Sequence, residues 1–144
     1  MCKEDGIKFF IPDSESKLES ILISSGISAG FPSPAGDFKQ ERISLDKELI
    51  KNKEATFFAR VSGQSMIGAG LDHNDLLVID RSLEPSNNKI AVCLIDGEFT
   101  VKRLNVENGR IWLKPENLNY KPIQITKENQ FMIWGIVTNV IKKV

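Results

Sequence analysis

A serine in a small, turn-prone stretch is the first candidate for chemistry in this sequence. Ser65 lies in the segment VSGQSM (residues 61–66), where an apolar run ends in residues that can present a hydroxyl at a rim. A serine hydroxyl becomes a strong nucleophile only when a neighbouring base takes its proton. Serines after glycine turns are mostly structural, so this segment alone does not predict catalysis. A base has to be found elsewhere in the chain.

The only histidine of the chain, His73, is one candidate for that base. Together with Ser65 and a neighbouring aspartate it would complete a Ser-His-Asp arrangement, in which the imidazole takes the serine proton. It lies, however, in the acidic segment LDHND (71–75), and Asp and Asn favour turns because their side chains hydrogen-bond locally. A solvated histidine in a turn is therefore the simpler interpretation, and we assign this segment no catalytic role.

A lysine, Lys102, is the other candidate base. A lysine can take a proton only as the neutral amine, which burial among apolar groups favours over the charged ammonium. In the segment EFTVKRL (98–104), strand alternation puts Lys102 on the same face as Glu98 and Thr100. Alternation does not decide whether that face is buried. Lys102 and Arg103 would equally fit a charged pair on an exposed hairpin.

Short strands separated by turn signals make up the chain from residue 56 onward. β-branched and aromatic residues are enriched between polar breaks, and Asp96-Gly97 and Asn108-Gly109 are typical of two-residue hairpin turns. This spacing predicts a mainly β fold, a folded antiparallel sheet or barrel-like arrangement, rather than alternating βαβ units. The predicted strands are Thr56–Ser62, Leu76–Asp80, Ile90–Ile95, Glu98–Leu104, Arg110–Leu113 and Phe131–Ile141.

The first forty residues differ from the rest of the chain. They mix polar stretches with the turn-rich segment GFPSPAG (30–36), whose prolines remove backbone donors and favour extended conformations. We therefore predict a flexible N-terminal arm over residues 1–40 and a folded domain over residues 41–144. Within residues 13–22, apolar side chains recur with helical spacing after a candidate cap, which predicts a short amphipathic helical turn.

The composition excludes several classes of protein. With 19 Lys and Arg against 19 Asp and Glu, the 144-residue chain has no bulk positive field for phosphates, so we expect no direct sequence-specific DNA binding. No apolar run approaches the roughly 20 residues of a membrane span, and the N-terminus lacks a signal-peptide pattern, which predicts a cytoplasmic protein without membrane contact. Two cysteines and one histidine form no recognisable zinc site, and we expect no metal and no cofactor.

A few conspicuous side chains have structural interpretations. We expect Trp112 and Trp134 to be core or interface aromatics, because their large apolar surface favours burial. Cys93 lies in an apolar run and is expected to be a buried small hydrophobe. Lys142 and Lys143 are expected to form a solvated end of the chain.

Four tracts together resemble the UmuD family of LexA-type self-cleaving serine peptidases. They are GFPSPAGD (30–37), SGQSMI (62–67), DLLVID (75–80) and DGEFTVK (96–102), and they occur in the family's order and spacing, within a resemblance that spans about residues 30–142. That family uses a Ser-Lys dyad in a mostly β, LexA-like catalytic domain. The resemblance implies that Ser65 is the nucleophile and Lys102 the general base. It also implies that the backbone N–H groups of Gln64 and Ser65 stabilise the oxyanion, with Met66 packed under the site.

The resemblance also implies the substrate, which is the chain's own arm, cut between Ala29 and Gly30. The UmuD branch typically carries Cys-Gly at this bond, and alanine is the LexA-like choice. An extended chain covers about 3.3 Å per residue, so the connector from Gly30 to Ser65 is long enough for delivery within one chain. The partner chain of a dimer could equally supply the bond.

The UmuD branch further implies the partners. It implies homodimerisation, stimulation of cleavage by a RecA–single-stranded DNA filament, and association of the shortened product with a UmuC-type translesion DNA polymerase in the SOS response. Only 29 residues precede Gly30, too few for the DNA-binding domain of a LexA-type repressor, so we do not expect a repressor. Two alternatives stay open, a polymerase-binding module that does not cut itself and a phage-type antirepressor relative of LexA.

Overall fold

The structure is a computed structural model that describes residues 8–12, 20–23 and 40–144. The described residues within 1–12 and 52–144 form one compact unit, and those within 13–51 form a second. Most of the arm predicted over residues 1–40 lies outside the described residues. Its division from a domain over residues 41–144 therefore stays a prediction.

The larger unit is built on one eight-stranded sheet in which every neighbouring pair is antiparallel. Ten strands occur among the described residues: β1 Lys8–Phe10, β2 Ser20–Ile23, β3 Gln40–Ile43, β4 Thr56–Arg60, β5 Leu76–Asp80, β6 Ile90–Ile95, β7 Glu98–Glu107, β8 Arg110–Lys114, β9 Ile123–Gln124 and β10 Phe131–Ile141. The strand order of the large sheet is β1-β4-β5-β10-β6-β7-β8-β9, while β2 and β3 pair in the smaller unit. The mainly β fold predicted from the sequence is confirmed.

Helical structure is scarce in the described part of the chain. It consists of α1 (Leu45–Leu49) and two 3-10 turns, Lys53–Ala55 and Ile67–Ala69. None of these is long and apolar enough to cross a membrane. The helical turn predicted within residues 13–22 is wrong over residues 20–22, which belong to β2, and its other residues lie outside the described part. Antiparallel pairing with β3 overrides the local helical spacing there, because β-branched residues suit an extended strand.

The two predicted hairpin turns are confirmed. Asp96 and Gly97 have φ values of 49° and 82°, and Asn108 and Gly109 have values of 53° and 74°. Two consecutive positive φ angles are the mark of the tight turn whose twist matches that of the flanking strands. The first turn fixes the register of β6 against β7, which pairs Ala91 with Lys102. The candidate base is thereby placed in the middle of the sheet.

The sheet buries a cluster of apolar side chains on each face. Strand β6 shows the division, because Val92 belongs to the first cluster while Ala91 and Cys93 belong to the second. All three are fully buried, which confirms Cys93 as a small core hydrophobe. The remaining buried members of the first cluster are Ala59, Val61, Met66, Leu71, Leu77, Ile79 and Val101. This first cluster includes residues on both sides of Ser65 and next to Lys102.

An aromatic group extends the first cluster towards the edge of the sheet. The ring of Trp134 lies 4.5 Å from Phe9, 5.1 Å from Phe57 and 6.0 Å from Phe99, measured between centroids. The guanidinium of Arg81 lies 4.4 Å from the centre of the same ring, a distance typical of cation–π contacts. Trp134 is therefore a packing residue, as predicted. Trp112 is half-buried on β8.

We expect Gly135→Ala to destabilise the protein. A Cβ at Gly135, beside a bulge in β10, would lie 2.5 Å from Cγ2 of Ile79, which is fully buried and has no room to move. Overpacking of this kind costs about 1–3 kcal/mol, measurable as a lower free energy of unfolding in urea. The control is Asn139→Ala, an exposed change on the same strand that should alter stability by no more than about 0.5 kcal/mol. Equal stability of the two variants would contradict the close approach.

Candidate active site

Ser65 lies on a tight connection between β4 and the 3-10 turn at Ile67–Ala69. After β4 ends, Gly63 adopts φ +94°, a left-handed conformation that glycine tolerates because it has no Cβ. The next residue after Ser65 is Met66, which is 2% exposed and belongs to the first core cluster. The buried methionine anchors the segment under the half-buried Ser65, in keeping with the packing role expected of it.

The structure brings Ser65 and Lys102 together across 37 positions of sequence. Nζ of Lys102 lies 2.9 Å from Oγ of Ser65. The same nitrogen lies 2.7 Å from Oγ1 of Thr100 and 3.1 Å from the carbonyl oxygen of Val101. Thr100 and Lys102 share a strand face, so this pair follows from the alternation seen in the sequence. The candidate nucleophile and the candidate base are therefore in hydrogen-bond contact.

Burial of Lys102 removes one alternative that the sequence left open. Lys102 is only 8% exposed, so it is not half of a charged pair on an exposed hairpin. Its neighbour Arg103 forms an ion pair with Glu116, near the start of the loop that follows β8. Burial disfavours an ammonium relative to an amine. The position suits a lysine that has to accept a proton.

His73 does not contact the Ser65 hydroxyl in this structure. The Gly63 N–H donates to Nδ1 of His73 over 3.4 Å, and the imidazole is exposed. The hydroxyl of Ser65 is instead paired with Lys102. A Ser-His-Asp arrangement is therefore not assembled, and the histidine contributes a contact to the backbone turn before Ser65.

The acidic segment around His73 is tied to the last strand. Lys142 is exposed, as expected of a solvated chain end, and its side chain donates hydrogen bonds to the carboxylates of Asp72 and Asp75. Burial raises the pKa of Asp75, but hydrogen bonds from Lys142 and from the Asp72 N–H outweigh it and hold the pKa below its usual value. The ion pair between Lys142 and Asp75 therefore stabilises the fold at neutral pH, and this stabilisation is lost as the pH falls through the pKa of Asp75.

The backbone carbonyl groups of Gln64 and Ser65 both accept hydrogen bonds. The carbonyl oxygen of Gln64 accepts a hydrogen bond from Nδ2 of Asn117 at 2.9 Å, and that of Ser65 accepts one from the Glu116 N–H at 2.8 Å. The N–H groups of Gln64 and Ser65 donate no hydrogen bond to any other residue that the structure describes. Unpaired N–H groups next to a nucleophile can stabilise a developing negative charge.

The hydroxyl and the amine open onto a cleft of about 270 Å³. Glycine and small polar residues from the segment before Ser65 line one part of it, and apolar side chains line another. The aliphatic and phenylalanine side chains among them are Val61, Met66, Leu71, Ile95, Phe99, Val101 and Ile123. A cleft with this lining can accept a short stretch of polypeptide whose side chains are small or apolar.

Cys93 is the cysteine that the structure describes, and it is not suited to act as a nucleophile. Burial raises the pKa of Cys93 to about 12, with the nearby charge of Lys102 opposing the rise, so this cysteine stays a protonated thiol at neutral pH. Cys93 is free of any disulfide.

In residues 8–12, 20–23 and 40–144, no three His, Cys, Asp or Glu side chains are grouped so that they could hold a metal ion.

Comparison with known proteins decides the family. Residues 21–138 match the Peptidase S24-like family, and these matched residues make up well over half of the chain. The chain belongs to the S24 peptidase family. Both Ser65 and Lys102 lie within the matched residues.

Relatives of this S24 chain include the UmuD-like proteins ImpA and MucA and a LexA repressor. ImpA of Salmonella typhimurium is 39% identical over 132 residues, which cover 92% of this chain and 90% of ImpA. MucA of Escherichia coli is 38% identical over 135 residues, which cover 92% of each. The LexA repressor of Clostridium perfringens is 36% identical over 113 residues, which cover 78% of this chain and 56% of the repressor. The resemblance to UmuD-like, LexA-type peptidases is confirmed.

Sequence reasoning missed one part of the S24 site, the loop over residues 115–120. Glu116 and Asn117 of this loop bind the carbonyl groups of the two residues singled out as oxyanion donors. A proline and two asparagines mark the stretch as a turn, but no spacing relates it to Ser65, at least 50 positions earlier. The Ala29-Gly30 bond lies outside the described residues, and the catalytic roles of the site residues stay predictions.

Proposed function

We propose that this S24 family member is a serine peptidase that cuts its own arm between Ala29 and Gly30, with Ser65 as nucleophile and Lys102 as general base. The observation that carries the proposal is the 2.9 Å contact between Ser65 Oγ and Nζ of a lysine that is only 8% exposed. A contact of this length lies within the distance that proton transfer requires. Membership of a peptidase family makes peptide hydrolysis the reaction to expect of it.

The reaction would proceed in two halves. As Ser65 Oγ attacks the carbonyl carbon of Ala29, its proton passes to the neutral amine of Lys102, and the carbonyl oxygen becomes an oxyanion. The ammonium then gives this proton to the nitrogen of Gly30, the peptide bond breaks, and an acyl-enzyme on Ser65 remains. Water then attacks this ester while Lys102 takes one of its protons. The ammonium returns that proton to Ser65 Oγ as the ester bond breaks, which restores both the hydroxyl and the neutral amine.

The neighbours of Lys102 support its role as base. The carbonyl oxygen of Val101 can only accept a hydrogen bond, and Oγ1 of Thr100 lies at donor–acceptor distance as well. If both accept N–H groups from a neutral amine, its two hydrogens are used and its lone pair is left for the Ser65 hydroxyl. The amine is then oriented before the reaction begins, which lowers the entropic cost of proton transfer.

The backbone N–H groups of Gln64 and Ser65 are proposed as the oxyanion donors. The finding behind this assignment is that neither donates to another described residue, while the adjoining carbonyl groups are engaged. Donors of this kind act where negative charge develops in the transition state, and removing one typically lowers a rate by about a hundredfold to a thousandfold.

Self-cleavage would act as a switch, because the cut separates β1 from the rest of the sheet. Strand β1 pairs with β4 through Lys8 and Arg60, and Phe9 packs 4.9 Å from the ring of Phe99. These residues lie before the Ala29-Gly30 bond and would be joined to the sheet by non-covalent contacts alone. Their departure would uncover the edge of β4 and the face of Phe99, which also lines the cleft.

We propose the partners on the same basis as the cut. The UmuD-like relatives support a homodimer in the cytoplasm, stimulation of cleavage by a RecA–single-stranded DNA filament, and binding of the shortened product to a UmuC-type DNA polymerase. The balanced charge of 19 basic and 19 acidic residues supports the absence of direct sequence-specific DNA binding. No cofactor is needed, because the dyad and the backbone donors supply a base, a nucleophile and an electrostatic site.

Intact mass spectrometry tests the proposal. The purified protein is incubated without a partner from pH 7 to pH 10, and separately at neutral pH with RecA, single-stranded DNA and nucleotide. We expect loss of residues 1–29, at a rate that rises with pH until the amine of Lys102 is fully neutral, because only the neutral form accepts the serine proton.

The outcomes separate the alternatives. A flat pH profile would count against a lysine base. An intact chain under both conditions would overturn self-cleavage and favour a module that acts only by binding a polymerase. Cleavage without any affinity for a UmuC-type polymerase would favour the antirepressor alternative, and pull-down of the cleaved and uncut forms measures that affinity.

A further inference from the structure

The loop between β8 and β9, over residues 115–120, holds the backbone on either side of the proposed nucleophile. Its Glu116 N–H donates to the carbonyl oxygen of Ser65 at 2.8 Å, and Nδ2 of Asn117 donates to that of Gln64 at 2.9 Å. In return, the Gly68 N–H donates to the carbonyl oxygen of Glu116 at 2.7 Å. Three hydrogen bonds therefore join the loop to the segment that carries Ser65, and one of them comes from a side chain.

The side chain of Asn117 is fixed at both ends. Its Oδ1 accepts a hydrogen bond from the Asn119 N–H at 3.0 Å, so Nδ2 is the end that faces Gln64. An amide whose oxygen and nitrogen both have partners has one preferred orientation, because the flipped amide would set like groups against each other. Asn117 is therefore a directional donor to the Gln64 carbonyl.

The loop itself is anchored to the strand that carries Lys102. Glu116 forms an ion pair with Arg103, the next residue along β7, and Arg103 also donates to the carbonyl oxygen of Asn88. A Cβ at Gly68 would lie 2.5 Å from the carbonyl oxygen of Glu116, so the close approach of loop and nucleophile segment requires glycine there. The position of Asn117 is thus set by contacts of the loop with β7, which carries Lys102, and with the segment that carries Ser65.

Planarity of the peptide bond connects Asn117 to the oxyanion donors. The Gln64–Ser65 peptide is trans, so its carbonyl and the N–H of Ser65 point in opposite directions. When Asn117 draws the carbonyl of Gln64 towards the loop, the N–H of Ser65 is turned away from it. Gln64 and Ser65 line the cleft and Asn117 does not, so a Gln64 carbonyl that faces Asn117 leaves the Ser65 N–H on the side away from Asn117.

We propose that Asn117 is a positioning residue that fixes the Gln64–Ser65 peptide plane and so aims the Ser65 N–H at the oxyanion. The inference rests on the proposed self-cleavage at Ser65 and adds to it a residue outside the cleft. A rotated peptide plane would present a carbonyl where the donor is needed, which repels the developing negative charge. The effect falls on the transition state and leaves the contact between Ser65 and Lys102 in place.

The experiment compares self-cleavage of full-length wild type, Asn117→Ala and Asn117→Asp from pH 7 to pH 10 by intact mass spectrometry. We expect both variants to cut about a hundredfold more slowly at the plateau, the loss typical for one oxyanion donor. The pH at half-maximal rate should stay at the wild-type value, because Lys102 is unchanged. The matched control is Asn119→Ala, which removes an exposed side chain from the same loop and keeps the N–H that binds Asn117.

Unfolding in urea, measured alongside, separates positioning from general stability. If the wild-type protein cuts itself and both Asn117 variants reach the same plateau rate, the positioning role of Asn117 is overturned while the proposed self-cleavage stands. A shifted pH midpoint would also overturn it, since the side chain would then act through Lys102. If Asn117→Ala fails to fold, Asn117→Asp decides, because it keeps the size and the acceptor for Asn119. A wild-type protein that never cuts itself would overturn the proposed function and the positioning role together.

Discussion

Ser65→Ala is expected to abolish self-cleavage while leaving the fold intact. The variant loses only the oxygen that forms the covalent intermediate, and loss of a nucleophile from a catalytic unit lowers rates by about a thousandfold or more. The side chain is half-buried and its one hydrogen bond within residues 8–12, 20–23 and 40–144 is to Lys102, so we expect stability to change by no more than about 1 kcal/mol. Intact mass spectrometry at pH 10 gives the rate, and urea unfolding gives the stability.

A second serine in the same segment provides the matched control. Ser62 is also half-buried and also lines the cleft, three residues before Ser65, yet its hydroxyl has no hydrogen bond to any described residue. Ser62→Ala should cut itself at nearly the wild-type rate. Persistent cleavage at Ala29-Gly30 by purified Ser65→Ala would refute the assignment of the nucleophile. An equal loss of cleavage in Ser65→Ala and Ser62→Ala would indicate that cleavage depends on the shape of the segment and not on the Ser65 hydroxyl.

The strands that frame the site could be predicted from sequence to different degrees. β5, β6 and β10 have the predicted bounds, because each is an apolar run bounded by turn residues. The tight turn at Asp96-Gly97 also fixes the register that places Lys102. β1 and β9, with three and two residues, were not predicted, because runs this short carry no periodicity and are held by pairing with distant strands.

The site shows the same division between local and distant information. Ser65 and Lys102 were singled out by residue type and by resemblance to a family, but the burial of Lys102 depends on strands from across the sheet. Alternation gave its face correctly and left its exposure open. The roles of Asn117 and Lys142 could not be read from their neighbours, because each acts on residues more than 50 positions away.

Lys102→Met is the second variant expected to abolish cleavage, and it should do so at every pH. Methionine has nearly the same length and no group that accepts a proton, so the rate should fall by about a thousandfold or more without recovery at pH 10. Replacing a buried amine with an apolar side chain of similar volume should leave the free energy of unfolding unchanged or raised, since burial of a charge is costly. Intact mass spectrometry over the pH series and urea unfolding measure the two effects.

Lys102→Arg separates the action of a base from that of a positive charge. Arginine keeps the charge but stays protonated at every pH of the series, so it cannot take the proton of Ser65. We expect it to be as inactive as the methionine variant, while Lys114→Met, a half-buried change on the neighbouring strand β8, should cut normally. An arginine variant that cuts itself would mean that Lys102 acts as an electrostatic partner, and the proton would then need another acceptor. His73 would be the first to test, since it already contacts the backbone next to Ser65 through the N–H of Gly63.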